Sequence, residues 1–271
     1  MDASRLDPVF TSSRPPRLPT LWAALGLIAL YFLLQLAMSV VTGLVIGLVL
    51  GFRQGMHGGD VMAQMQGLLM RPDVNATMVI LTLVIAAGVT VLLARRLWPT
   101  LWTLTTPPGF GFAAPKQPSF YAIAFLLGLI LPFAGGLLTQ WLAQGHEVSQ
   151  DIKQLGAQAS PLLRFPLALL VVTAGPLVEE LLFRGVLLSA AMRYVPAGTA
   201  SFATALLFAC VHLPDLGFLW YALPNLLLLG LILAWLRLQS ESIWPAVIAH
   251  SVNNALAVVS WFVIAPPGAT L

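Results

Sequence analysis

The run Gly175-Pro-Leu-Val-Glu179-Glu180-Leu-Leu-Phe-Arg184-Gly185 sets three ionisable side chains in an apolar stretch. At the centre of a membrane helix each charge costs roughly 2.5–3.5 kcal/mol, of order 8 for three before compensation. A chain rarely carries that cost without a function, so the default reading is a site. Glu180 and Arg184 stand four apart and share a helix face, with the acid N-terminal to the base, the favourable order for an ion pair. Glu179 points about 100° away. Its own helix offers it no partner, which leaves its carboxylate for proton transfer. The alternative is that all three only lock helices together.

Two further apolar stretches carry histidines. Phe208-Ala-Cys-Val-His212-Leu-Pro214 puts a ring and an imidazole one turn apart, and Pro214 stops the helix soon after. Trp244-Pro-Ala-Val-Ile-Ala-His250-Ser-Val-Asn253-Asn254 puts His250 and Asn254 four apart on one face. Asn253 lies near enough in angle to compete for the same role. Two such donors could hold a developing oxyanion, or could hydrogen-bond a neighbouring helix.

The elements that position these residues must be membrane helices. The chain of 271 residues is 59% hydrophobic and 8% charged, with a mean hydropathy of +0.90. A water-soluble domain is about one quarter charged, so lipid is the expected solvent. Seven stretches meet or approach the roughly 20 apolar residues of a spanning helix: Leu21–Phe52, Ala76–Ala94, Phe120–Leu142, Pro166–Met192, Ala197–Leu213, Phe218–Leu236 and Ile243–Ile264. The fold class is therefore all-α, a polytopic bundle of about seven helices, eight at most. The first stretch is too long for a signal peptide and reads as an anchor that stays. Ala197–Leu213 is the shortest. No internal repeat is evident. Residues 1–20 read as a cytoplasmic tail, 21–160 as an N-terminal set of helices, 161–264 as the catalytic core and 265–271 as a C-terminal tail.

Alternating sides from a cytoplasmic N-terminus puts Arg5, Arg14, Arg17, Arg95, Arg96, Lys116, Arg193 and Arg237 inside. Arg53, Arg71, Lys153 and Arg164 fall outside, and Arg184 stays within a helix. That sorting obeys the positive-inside rule. It also explains the net charge of +3 without nucleic acid as a partner. Cys210, the single cysteine, excludes an internal disulfide and reads as a small core residue. His57 and His146 read as solvated loop residues. The segment holding Pro107, Pro108, Gly109, Gly111 and Pro115 reads as a turn-rich connector.

Taken in order, Glu-Glu-x-x-x-Arg, Phe-x-x-x-His and His-x-x-x-Asn on three helices resemble the CAAX prenyl endopeptidase and bacteriocin-processing family of intramembrane proteases, also called the Abi family. Pro176, Phe183-Arg184-Gly185, His212-Leu-Pro214 and Trp244-Pro245 agree with the resemblance, which covers roughly Pro166–Ser260. It implies peptide hydrolysis by an activated water at the membrane. Glu179 with His212 would activate the water, His250 and Asn254 would hold the oxyanion, and Glu180 with Arg184 would orient the first glutamate. No cofactor is required on that scheme. Glu179, His212 and His250 also make a ligand set known for catalytic zinc, and the sequence leaves the two mechanisms open. The expected partners are membrane lipid and a membrane-associated peptide or protein, in the plasma (inner) membrane. Two other classes fit the same residues: a non-catalytic binding or immunity factor, and a proton-coupled transporter. His250 lies only about nine residues from Glu241, roughly 13 Å, against roughly 20 Å for Glu179 from Arg193. A tilt or the break at Pro245 would have to level them. The cavity is expected to open to the cytoplasm or sideways between helices.

Overall fold

The computed structural model describes residues 17–55, 60–146 and 151–263. The tail arginines Arg5 and Arg14, His57, and the segment 265–271 lie outside the described residues. Among those described, the secondary structure is helical throughout. That is the expected result in lipid, where each backbone amide must be satisfied within its own segment.

The elements are α1 (Leu21–Gly55), α2 (Val61–Leu69), α3 (Pro72–Leu97), α4 (Ser119–Ala143), α5 (Asp151–Gln158), α6 (Pro161–Val172), α7 (Ala174–Glu180), a π-helical turn (Leu181–Leu187), α8 (Leu188–Ala191), α9 (Ala197–Cys210), α10 (Leu223–Ser240) and α11 (Trp244–Val263). Among the described residues six helical stretches are long and apolar enough to cross a membrane, with Pro161–Ala191 counted as one. The chain is an integral membrane protein. The stretch expected as Ala197–Leu213 is shorter than a full span: α9 has 14 residues, about 21 Å at 1.5 Å per residue. Small 3-10 turns follow at Pro214–Leu216 and Trp220–Ala222 before α10 begins. Large apolar side chains such as Leu36, Phe133, Leu137 and Trp141 project outward, as a surface facing hydrocarbon requires.

Successive spans alternate in direction, which gives the bundle two ends. At the first end Arg193 donates to the Pro19 carbonyl, and the Lys116 amide donates to the Ser240 carbonyl. At the second end the Ser160 amide donates to Asp73, and the Ile152 amide donates to Asp215. Arg164 closes that end by donating to the carbonyls of Trp261, Ala157 and Ala159.

Residues 98–118 form a docked plug at the first end and are far more than a connector. Leu101 and Phe110 are fully buried, and Phe110 packs edge-on against both Trp98 and Trp102. Arg237, also buried, donates to the carbonyls of Thr105 and Gly109 at 2.7 Å each. Gly111 sits at φ +79, and a Cβ there would fall 2.7 Å from the Arg237 guanidinium carbon. Only glycine fits both the backbone conformation and the space. The α10–α11 turn lies under the plug, with Ser240, Ser242 and Ile243 buried.

The bundle behind the site closes on small residues. A Cβ on Gly128 of α4 would lie 2.6 Å from the Ala249 carbonyl oxygen and 2.7 Å from Val252 Cβ on α11. Close approach through small residues is how membrane helices gain packing contact. Pro132, one turn on, withholds the amide that the Gly128 carbonyl would otherwise accept from. Gly128→Val should therefore overpack this contact and cost about 1–3 kcal/mol. The expected outcome is a lower thermal midpoint in detergent than wild type. An unchanged midpoint would show that α4 and α11 are not held this closely.

Candidate active site

Glu179 and Glu180 end α7 where the helix changes its winding. Thr173, at φ −121 and ψ −72, breaks the span between α6 and α7. Beyond Glu180 the π-helical turn runs to Leu187, and the Leu188 amide returns to the Phe183 carbonyl. Such turns are rare and occur frequently at functional sites.

Glu180 is fully buried. One of its oxygens, Oε1, accepts from Arg184 Nη1 at 3.0 Å and from His250 Nδ1 at 2.9 Å. The pairing with Arg184 follows the spacing of four. The contact with His250 is additional: the scheme implied by the family resemblance gave this histidine only an oxyanion role. Arg184 spends a second nitrogen on the Gly230 carbonyl of α10, and its guanidinium carbon lies 4.4 Å from the Phe208 ring centre. Phe208 in turn packs against His212, with centroids 4.8 Å apart, and edge-on against His250 at 5.7 Å.

Glu179 faces elsewhere. Its Oε2 lies 3.8 Å from His212 Nε2 and 3.7 Å from His250 Nε2. Both distances exceed a direct hydrogen bond, and the three atoms converge at the cavity wall, where one water or one substrate oxygen set to the side of them can contact all three. The other ring nitrogens fix the tautomers. His212 Nδ1 donates to the Phe208 carbonyl at 2.7 Å, and His250 Nδ1 donates to Glu180. In the neutral rings both Nε2 atoms therefore present lone pairs toward Glu179.

Asn254 donates to the Val171 carbonyl at 3.1 Å, and its own oxygen accepts from Asn253 Nδ2 at 3.2 Å. This ties α11 to α6 beside the break at Thr173. Asn254 keeps one amide N–H beyond that bond.

Glu179, His212, His250, Asn253 and Asn254 all line one cavity of about 1100 Å³. It is polar along much of its length, with Gln35, Asn75, Gln140, Gln158 and Asn225 among its walls. Tyr31 of α1 also lines it and is close enough to Glu179 to interact with its charge. A lone Tyr in the first span gave no sequence signal. Only its position three helices away from the motifs, brought back by packing, reveals it.

The cavity does not open toward the first end. Its walls come from the halves of α3, α4, α10 and α11 that run to the second end. The plug fills the other half. The plug also levels the histidine depths: His250 is near the α10–α11 turn, but that turn is itself buried beneath residues 98–118.

The donor chemistry of Glu179, His212 and His250 suits zinc, with both Nδ1–H groups anchored as zinc-bound histidines usually are. As placed, however, no group of three His, Cys, Asp or Glu among the described residues could hold a metal ion.

Residues 161–256 match the family described as type II CAAX prenyl endopeptidase Rce1-like. The match spans all six residues singled out by their spacing and stops short of Tyr31. No curated protein matches the chain, and no solved structure does.

The two glutamates should separate on substitution. Arg184→Ala strands Glu180 as a buried charge, a change that typically costs about 3–5 kcal/mol, and should lower the thermal midpoint and the folded yield. Glu179→Gln, at the cavity wall, should leave both near wild type. Equal midpoints for the two variants would refute the division.

Proposed function

With residues 161–256 assigned to the Rce1-like endopeptidase family, we propose that this protein is an intramembrane endopeptidase whose nucleophile is a water activated by Glu179. The observation that carries the reading is the convergence of Glu179 Oε2 and two Nε2 atoms at the wall of one cavity. A water there donates to the carboxylate and to one imidazole, which aims an oxygen lone pair at a carbonyl carbon entering from the cavity. Glu179 takes the water proton as the C–O bond forms. The same carboxyl then returns the proton to the leaving nitrogen as the C–N bond breaks.

The oxyanion needs donors. His250, held through Nδ1 by Glu180, supplies one when its Nε2 carries a proton. Asn254 supplies its remaining amide N–H, or Asn253 supplies one in its place. His212, held by the Phe208 carbonyl, orients the water. Glu180 and Arg184 are positioning residues, since neither lines the cavity.

A metal-dependent variant is the second reading, favoured by the two Nε2 lone pairs facing one carboxylate. As placed these three do not form a metal-holding group, so Glu179, His212 and His250 would have to shift to hold zinc; the ion would then supply a bound water of lowered pKa.

Peptidase activity in detergent or proteoliposomes, read with a pool of quenched fluorescent peptides, tests both. Glu179→Gln should lower the rate by about 10²–10⁴, the usual contribution of a general base, with the thermal midpoint unchanged. Cleavage at the wild-type rate by that variant would sink the proposal. Activity should persist through dialysis against a strong chelator. Loss on chelation with recovery on adding zinc would replace the water-only mechanism with the metal one.

A further inference from the structure

We infer that the cavity opens on the non-cytoplasmic side of the membrane, and that its occupant is a peptide segment exposed there rather than a cytoplasmic lipidated tail. Two independent observations meet in this inference. The first is where the mouth lies. Glu179, Phe208 and His250 form the floor, and from it the walls run only toward the second end: Pro132 to His146 along α4, Leu83 to Asn75 along α3, Leu229 to Ala222 into α10, and His250 to Trp261 along α11. The amphipathic α5 contributes Gln154 and Gln158 to the rim. At the first end Leu101, Phe110 and Arg237 close the bundle.

The second observation is the distribution of Lys and Arg. The first end carries Arg95, Arg96, Lys116, Arg193 and Arg237, with Arg17 just before α1 and two more arginines in the preceding tail. The second end carries Arg53, Arg71, Lys153 and Arg164. Backbone carbonyls engage Arg193 and Arg237 at the first end and Arg164 at the second, and the bias survives their removal. Lys and Arg excess marks the cytoplasmic side. The plugged end is then cytoplasmic, and the mouth faces away from the cytoplasm.

The chemistry of the rim fits a peptide chain. Gln140, Gln158, Asn75 and Asn225 each offer an amide donor and acceptor, the groups that pair with an extended peptide backbone. The identity of the occupant rests on the peptidase reading; the direction of the mouth does not.

The test is topological first. In a Cys210→Ala background, single cysteines replace Gln140 or Gln158 at the rim, and Arg96 or Lys116 at the plugged end. A membrane-impermeant maleimide should label the rim pair in intact cells with a permeable outer layer, and the Arg96 and Lys116 positions only in inverted vesicles. The opposite pattern would overturn the inference. A second arm adds an impermeant quenched peptide pool to each preparation, with Glu179→Gln as the blank. Cleavage confined to the intact side supports the inference, and cleavage confined to inverted vesicles overturns it. Rim labelling from outside with cleavage from neither side would leave the mouth where it is inferred and count against the peptidase reading alone.

Discussion

Glu180 is the group on which the rest of the site depends. A carboxylate with no access to water must be neutralised and hydrogen-bonded where it stands. One of its oxygens takes both Arg184 and His250, and Arg184 passes on to the Gly230 carbonyl and the face of Phe208. Four elements are thereby fixed to one another: α7 with its π-helical turn, α9, α10 and α11. The close packing follows the same demand. A Cβ on Gly230 would lie 2.9 Å from Ala205 Cβ, so α9 and α10 approach near enough for the guanidinium to reach both. In lipid no solvent stands ready to replace any of these contacts.

That fixed network leaves Glu179 as the adaptable member. It sits at the cavity wall with a fifth of its side chain exposed, next in sequence to a residue with none. Adjacent positions on a helix point about 100° apart, which is how one dipeptide serves both as buried anchor and as cavity wall. The histidines are sorted in the same way. His250 is buried and bound to the anchor, whereas His212 is partly open and hydrogen-bonded to the Phe208 carbonyl one turn back. Asn254, hydrogen-bonded to Val171, steadies α11 against the break that lets α7 turn.

What the sequence makes legible is local. The Glu180–Arg184 pair and the Phe208–His212 stack both lie one helical turn apart, and helix geometry alone brings them together. The spans follow from hydropathy, with α9 the exception because its apolar run continues past the point where the helix stops. Long-range features do not announce themselves. His250 meets Glu180 across 70 positions, and Tyr31 reaches the cavity from the first helix. The segment 98–118 is rich in Pro and Gly and looks like a surface loop, yet the buried Arg237 of α10, more than a hundred positions on, draws it into the bundle. Its docking sets the direction of the cavity, so that direction was hidden for the same reason.

The plug has a kinetic meaning as well as a structural one. A vessel stoppered at one end fills and empties through the same neck. For a hydrolase so built, both fragments of a cut chain must back out along the path by which the intact chain entered. Turnover then depends on how fast the shorter, buried fragment escapes. A fragment that binds the rim amides well becomes a competitor of the next substrate, and the chain best suited to rapid processing is one whose inner piece is small.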